Sequence, residues 1–146
     1  LAVGELRFGA LLSPQGRLLF DLFILGREDG CWLDVAADRR EALIARLTIF
    51  RLRAKVEIAP QTGPVVALWN TDRPEPGFAV AARLPALGLR GYGDVEPPGV
   101  RADSAAYETR RIALGVPDPQ APVNRLRSER VAVEEFADFR GFPDST

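Results

Sequence analysis

The sequence predicts an α+β fold, built mostly from antiparallel strands with two or three helices. Three observations support this prediction. Two apolar runs near the N-terminus flank a turn that contains Pro and Gly, a pattern typical of an antiparallel hairpin. An amphipathic helix is indicated from Ala36 to Leu47. Between Pro74 and Pro98 the chain is rich in Pro and Gly, which favours short strands and turns.

The hairpin is predicted from a change of pattern around Ser13–Gly16. Residues from Leu6 to Leu12 alternate as a half-buried strand does, and the Pro and Gly that follow suit a tight turn. Leu18–Ile24 then resumes as a second strand. Asp21 interrupts the apolar character of that strand, which makes it a candidate functional residue, because a carboxylate in a strand must face water, find a partner or serve a site.

The remaining elements follow from shorter signals. The first helix carries Leu43, Ile44 and Leu47 on one face, and the second begins at Asp103-Ser104 and ends at Gly115. Further strands are predicted at Cys31–Val35, Arg53–Ile58, Val65–Trp69 and Phe78–Leu84. Val123–Phe139 is a candidate for a charged amphipathic helix, although its apolar positions are irregularly spaced.

Composition excludes several classes of function. The chain has 146 residues and a net charge of −1, which fits one globular domain and disfavours a nucleic-acid partner. It has no His and one Cys, Cys31, so Ser-His-Asp chemistry, His-ligated zinc and an internal disulfide are excluded. A lone Cys is most often a small buried hydrophobe.

Location and solubility are also predicted from the sequence. No apolar run is long enough to span a bilayer and no leader peptide is recognisable, so we expect a soluble protein without a membrane partner. The expected location is cytoplasmic. A mitochondrial matrix protein without its transit peptide would have the same composition.

Four stretches in this order resemble the YgfZ-type folate-binding proteins, which belong to the superfamily of the glycine-cleavage T-protein, an aminomethyltransferase. The stretches are Phe8–Arg17, Arg51–Ile58, Arg83–Gly88 and Tyr107–Pro117. The resemblance implies a folate-binding region over residues 1–117, incomplete at its N-terminus, and a divergent C-terminal segment over residues 118–146. It implies tetrahydrofolate as cofactor, and iron–sulfur client proteins as partners in the assembly or repair of their clusters.

The resemblance also implies which residues contact folate. Asp21 matches the aspartate that reaches the folate near its transferring nitrogen in T-proteins. Phe8 matches an aromatic position that lines the pterin pocket, and Leu25 and Val35 match further pocket positions. Phe8 is equally suited to the protein core. No catalytic residue and no metal ligand is predicted.

The chain departs from the family pattern at two functional positions. Ala113 stands where T-proteins carry a glutamate that binds the pterin edge, so we expect folate binding to be weaker by about ten- to hundredfold. The cysteine-containing signature of the YgfZ branch is absent. Three hypotheses remain open: a folate-binding protein, an aminomethyltransferase-type enzyme, and a structural or interaction remnant that binds no folate.

Overall fold

The computed structural model describes residues 1–61, 63–71, 73–117 and 136–140, and these residues confirm the predicted α+β class. The described strands are β1 (Leu6–Leu12), β2 (Leu18–Arg27), β3 (Gly30–Asp34), β4 (Glu57–Gln61), β5 (Val65–Leu68), β6 (Phe78–Val80), β7 (Leu89–Tyr92) and β8 (Phe136–Arg140). The described α-helices are α1 (Arg40–Arg51) and α2 (Ser104–Ala113).

These elements form two compact units. The first unit comprises the described residues up to position 61 together with β8, and the second comprises the described residues from 63 to 117. The second unit is therefore inserted in sequence between two parts of the first. The predicted boundary between residues 117 and 118 stays a prediction.

The first unit is built on a five-stranded antiparallel sheet in the order β1-β2-β3-β8-β4. The β1–β2 hairpin is confirmed, and its turn is closed by a hydrogen bond from the Ser13 amide to the Arg17 carbonyl at 2.8 Å. The register shifts at Leu11 and Leu12, a local irregularity near the end of the edge strand β1.

One face of this sheet packs against α1. Leu43 is fully buried under the helix, with Leu47 half-buried beside it, as the predicted apolar stripe requires. The buried cluster on this face consists of Phe20, Leu22, Cys31, Leu33, Val35 and Leu43. The helix was predicted to begin at Ala36. In the structure a short 3₁₀ helix at Ala37–Arg39 precedes α1, and such tighter turns are common at the N-terminal ends of α-helices.

The second unit contains a three-stranded antiparallel sheet in the order β5-β7-β6. The backbone of Gly88 lies so close to the Leu68 carbonyl that a Cβ at this position would collide with it. The φ of Gly88, +101°, also suits glycine. Asp103 caps α2 by accepting a hydrogen bond from the Ala106 amide at 2.9 Å. Tyr107 on α2 contacts the Trp69 ring, with centroids 6.0 Å apart.

Two further local predictions differ from the structure. β4 occupies Glu57–Gln61 rather than Arg53–Ile58, because the residues before Val56 remain exposed at the end of α1. Phe136–Phe139 belongs to strand β8 and not to the predicted helix, because these residues complete the sheet between β3 and β4. The rest of the predicted helix, residues 123–135, lies outside the described residues.

Candidate functional site

The face of the first unit's sheet opposite α1 carries the candidate functional residues. Cross-strand pairing places Phe8 opposite Phe23 and Leu6 opposite Leu25, and paired residues in an antiparallel sheet share a face. We call this surface the Asp21 face, and define it by Phe8, Asp21, Phe23, Leu25, Trp32 and Asp34. These side chains share a face because they occupy alternate positions along their strands, and alternate residues of a strand point to the same side of the sheet.

Asp21 lies on β2 and is half-buried. The residue opposite it on β1 is Ala10, which is small and exposed. The strands around Asp21 bring mainly apolar side chains to this face. A carboxylate in such surroundings can accept hydrogen bonds from a ligand in partial shelter from water, where they are stronger than at a fully exposed site.

An aromatic pair lies next to Asp21 on the same face. The rings of Phe8 and Phe23 contact each other with centroids 5.2 Å apart and planes inclined by 59°. This tilted arrangement is a favourable geometry for two aromatic rings. Both residues are half-buried, so the pair forms part of an apolar floor rather than part of the cluster beneath α1.

Leu25 continues the apolar floor along β2. It is buried, and it pairs with Trp32 on β3. The guanidinium of Arg27 lies 4.0 Å from the centroid of the Trp32 ring, which is a cation–π contact. The structure thus brings three of the four predicted pocket residues, Phe8, Asp21 and Leu25, onto one face.

Val35 is separated from the other three predicted pocket residues. It follows the last residue of β3, is 3% exposed, and packs in the buried cluster with Leu43 on the α1 side of the sheet. The alternation of the strand explains this separation, because Val35 and its neighbour Asp34 point to opposite faces.

Asp34 was not singled out in the sequence, although the structure places it on the Asp21 face. It pairs with Phe23 across β2 and β3 and is 2% exposed. The signal was available, because Asp34 is an acidic residue inside the predicted strand Cys31–Val35, and the argument that selected Asp21 applies to it equally. Burial of a carboxylate is costly, so such residues are concentrated at sites with specific electrostatic requirements.

A buried cation in the second unit was also missed. Arg90 on the central strand β7 is 5% exposed, and its Nε donates a hydrogen bond to the Tyr92 hydroxyl at 3.2 Å. Its partners across the two neighbouring strands are Ala67 and Ala79, whose short side chains leave room for the long arginine on the sheet. The missed signal is one Arg within the otherwise apolar stretch Leu87–Tyr92.

Arginines just before α1 and at the end of α2 form contacts within their own units. Arg39 donates to the Leu19 carbonyl at 3.1 Å and its guanidinium lies 5.0 Å from the Phe20 ring centroid. Arg110 donates to the Ala86 carbonyl at 2.7 Å, and Arg111 forms an ion pair with Glu108 on the same helix. These contacts fix the helices within their own units.

Cys31 and Ala113, both considered in the sequence, lie in different environments. Cys31 is 4% exposed in the cluster beneath α1, as expected for a small buried hydrophobe. Ala113 is exposed at the last residue of α2.

In the parts of the chain that the structure describes, no group of three or more His, Cys, Asp or Glu could hold a metal ion. No described helix is long and apolar enough to cross a membrane.

Comparison with known proteins identifies distant relatives of one kind. No family model and no solved structure matches the chain. The chain is similar to the iron–sulfur cluster assembly factor IBA57 homolog, mitochondrial, of Mycosarcoma maydis, with 29% identity over 128 residues that cover 75% of this chain and 32% of the relative. It is also similar to the protein of the same name from Pyricularia oryzae (strain 70-15), with 27% identity over an alignment of 161 positions that covers 94% of this chain and 40% of the relative. The chain thus spans about a third to two fifths of the length of these relatives.

Proposed function

We propose that this chain acts in the assembly of iron–sulfur cluster proteins and binds a tetrahydrofolate on the Asp21 face. The assembly role is supported by the names of both relatives. The folate site is supported by one structural observation, namely that Phe8, Asp21 and Leu25 share a face of one sheet. Of the two locations predicted from the sequence, the names of the relatives support the mitochondrial one.

The residues of the Asp21 face fit the chemistry of a reduced folate. A pterin is a flat heterocycle with several N–H donors, so it needs an apolar surface and hydrogen-bond acceptors. The Phe8–Phe23 pair and Leu25 are the apolar residues of this face, and the carboxylate of Asp21 is a hydrogen-bond acceptor on it. Sites for small cofactors generally combine an apolar lining with a few such polar groups.

Each residue has a distinct role in this proposal. Tetrahydrofolate supplies ring nitrogens that carry one-carbon groups. Asp21 accepts a hydrogen bond from the heterocycle and thereby fixes its orientation, while Phe8 and Leu25 exclude water from one side of it. Asp34, buried on the same face, brings a second carboxyl group to it.

The test is thermal unfolding of the 146-residue chain with and without 5-formyltetrahydrofolate at millimolar concentration. A ligand that binds only the folded state stabilises it by about 2.7 kcal/mol at a hundredfold excess over its dissociation constant. Asp21→Asn keeps the shape of the side chain and removes its charge, so we expect affinity to fall by about ten- to hundredfold. Asp94→Asn, an exposed aspartate in the second unit, is the matched control.

The outcomes separate the hypotheses. A shift in unfolding temperature that Asp21→Asn reduces and Asp94→Asn preserves would support the proposed site. A cooperative transition with no shift would mean that the chain folds without binding folate, and would favour an interaction role. The assembly role is tested separately, by the activities of iron–sulfur enzymes in cells that lack the gene and in cells that regain it.

A further inference from the structure

The C-terminal end of helix α1 and the turn after it carry exposed apolar side chains. We call residues Thr48–Lys55 the α1 tip, and all of them are exposed. Its three large apolar side chains are Ile49, Phe50 and Leu52, which are 65%, 59% and 85% exposed. Scattered exposed hydrophobic residues are common, but here three large ones lie within four consecutive positions.

The charges around this patch have one sign. Arg46 precedes it, and Arg51, Arg53 and Lys55 lie within it. No acidic residue occurs between Ala42 and Val56. The Arg46 guanidinium lies 4.7 Å from the centroid of the Phe50 ring, so the cation and the aromatic side chain are held together.

The backbone of the tip is strained at Leu52, whose side chain is exposed. Leu52 ends α1 with a φ of +44°, at a position where helices usually place glycine. A leucine is strained there, and because its side chain is 85% exposed it gains little packing energy from the residues that the structure describes. Violations of this kind concentrate at functional surfaces.

We propose that the α1 tip inserts its apolar side chains into the surface of an anionic lipid membrane. Leu and Phe beside Arg and Lys is the composition of segments that lie in the headgroup region. The apolar side chains enter the boundary of the acyl chains, and the cations contact negatively charged headgroups. Insertion gives Leu52 the burial that it lacks in the isolated chain.

The small size of the tip favours a lipid surface over a protein partner. A stable protein interface buries roughly 800 Å² on each side, usually around a flat or complementary patch of 20–30 residues. The α1 tip offers three exposed apolar side chains at a helix end. A fluid headgroup layer needs no complementary shape, so a small exposed segment is sufficient for peripheral binding.

This inference departs from the expectation of no membrane partner, which rested on the absence of a spanning segment. A peripheral contact needs no such segment. The inference is also independent of the proposed folate site, because the α1 tip contains none of the residues that define the Asp21 face.

The test is sedimentation of the 146-residue chain with two kinds of vesicle, one of phosphatidylcholine alone and one that also contains phosphatidylglycerol. We expect binding to the anionic vesicles, and its loss at high salt, where the Debye length falls to about 3 Å at 1 M. Leu52→Gly should reduce binding about tenfold. The double variant Arg53→Gln, Lys55→Gln should reduce it by more than tenfold.

The controls keep the test independent of folding. Leu52→Gly relieves the positive φ, so the variant should unfold at or above the temperature of the wild type while binding lipid less well. Val100→Gly removes an equally apolar, fully exposed side chain elsewhere and should bind as the wild type does. The proposal is overturned by equal binding to both vesicles, by no binding at all, or by wild-type binding of Leu52→Gly. A dimer that Leu52→Gly dissociates in gel filtration would also overturn it, since a second copy would then cover the tip.

Discussion

Replacement of Leu43 by Ala tests whether α1 anchors the sheet that carries the Asp21 face. Leu43 is fully buried in the cluster under the helix. The substitution removes three carbon atoms, which corresponds to about 2.4 kcal/mol of transfer free energy at about 0.8 kcal/mol per methylene. The cavity that remains adds to this loss, so we expect the free energy of unfolding to fall by about 3–4 kcal/mol.

The assay is urea unfolding followed by tryptophan fluorescence. The chain has two tryptophans, Trp32 in the first unit and Trp69 in the second. In a Trp69→Phe background, the fluorescence therefore reports on the first unit alone. With a slope of about 1–3 kcal/mol per molar urea, the expected loss moves the midpoint by at least about 1 M.

Leu52→Ala is the matched control, because it is the same substitution at a leucine that is 85% exposed. We expect its effect on the free energy of unfolding to stay within about 0.5 kcal/mol. If Leu43→Ala shifted the midpoint no more than Leu52→Ala does, the packing of α1 on the sheet and the burial argument built on it would be refuted.

Three further predictions concern single positions. Gly88→Ala should destabilise the second unit by more than about 2 kcal/mol in urea unfolding, because the added Cβ would collide with backbone atoms. Gly93→Ala, at a positive φ but with open space around it, should cost about 1 kcal/mol. Equal losses for the two variants would refute the collision at Gly88. Asp103→Ala removes the cap of α2 and should cost about 1 kcal/mol, whereas Asp103→Asn should retain most of the stability if the cap is responsible. The pKa of Glu5 should lie below its ordinary value in an NMR titration, because its carboxylate accepts hydrogen bonds from the Ala2 amide and then from Arg7. Its stabilising contribution is therefore present above the unfolded pKa and is lost as the pH falls through the folded one, and an unshifted titration would contradict those bonds.

The parts of the fold that were predicted from the sequence are those with local signals. The β1–β2 hairpin was found because its alternation and its turn lie within consecutive residues. The apolar stripe of α1 correctly placed Leu43 in the core. The apolar run of β2 identified Asp21 as unusual. That Asp21 shares a face with Phe8 follows from the strand pairing in the structure.

The parts that were missed depend on distant pairing. Strand β7 is short and contains Arg90 and Gly91, so it lacks an alternating apolar pattern and is specified by its position between β5 and β6. Strand β8 was mistaken for part of a helix because its partners, β3 and β4, are far away in the sequence. The separation of Val35 from the other pocket residues depends on the register of β3 against β2, which the sequence alone does not specify.

The position of β8 has a consequence for the order of folding during synthesis. The ribosome releases the chain from its N-terminus, and domains usually fold in that order. Here the sheet of the first unit lacks its fourth strand until residue 140 has emerged, by which time all three strands of the second unit are already available. The inserted unit can therefore fold first, and the long loop that must close before β3 and β4 meet β8 raises the contact order of the first unit and slows its completion. Until then, β3 and β4 expose unpaired strand edges, and chaperones that bind such edges would be most needed at this stage.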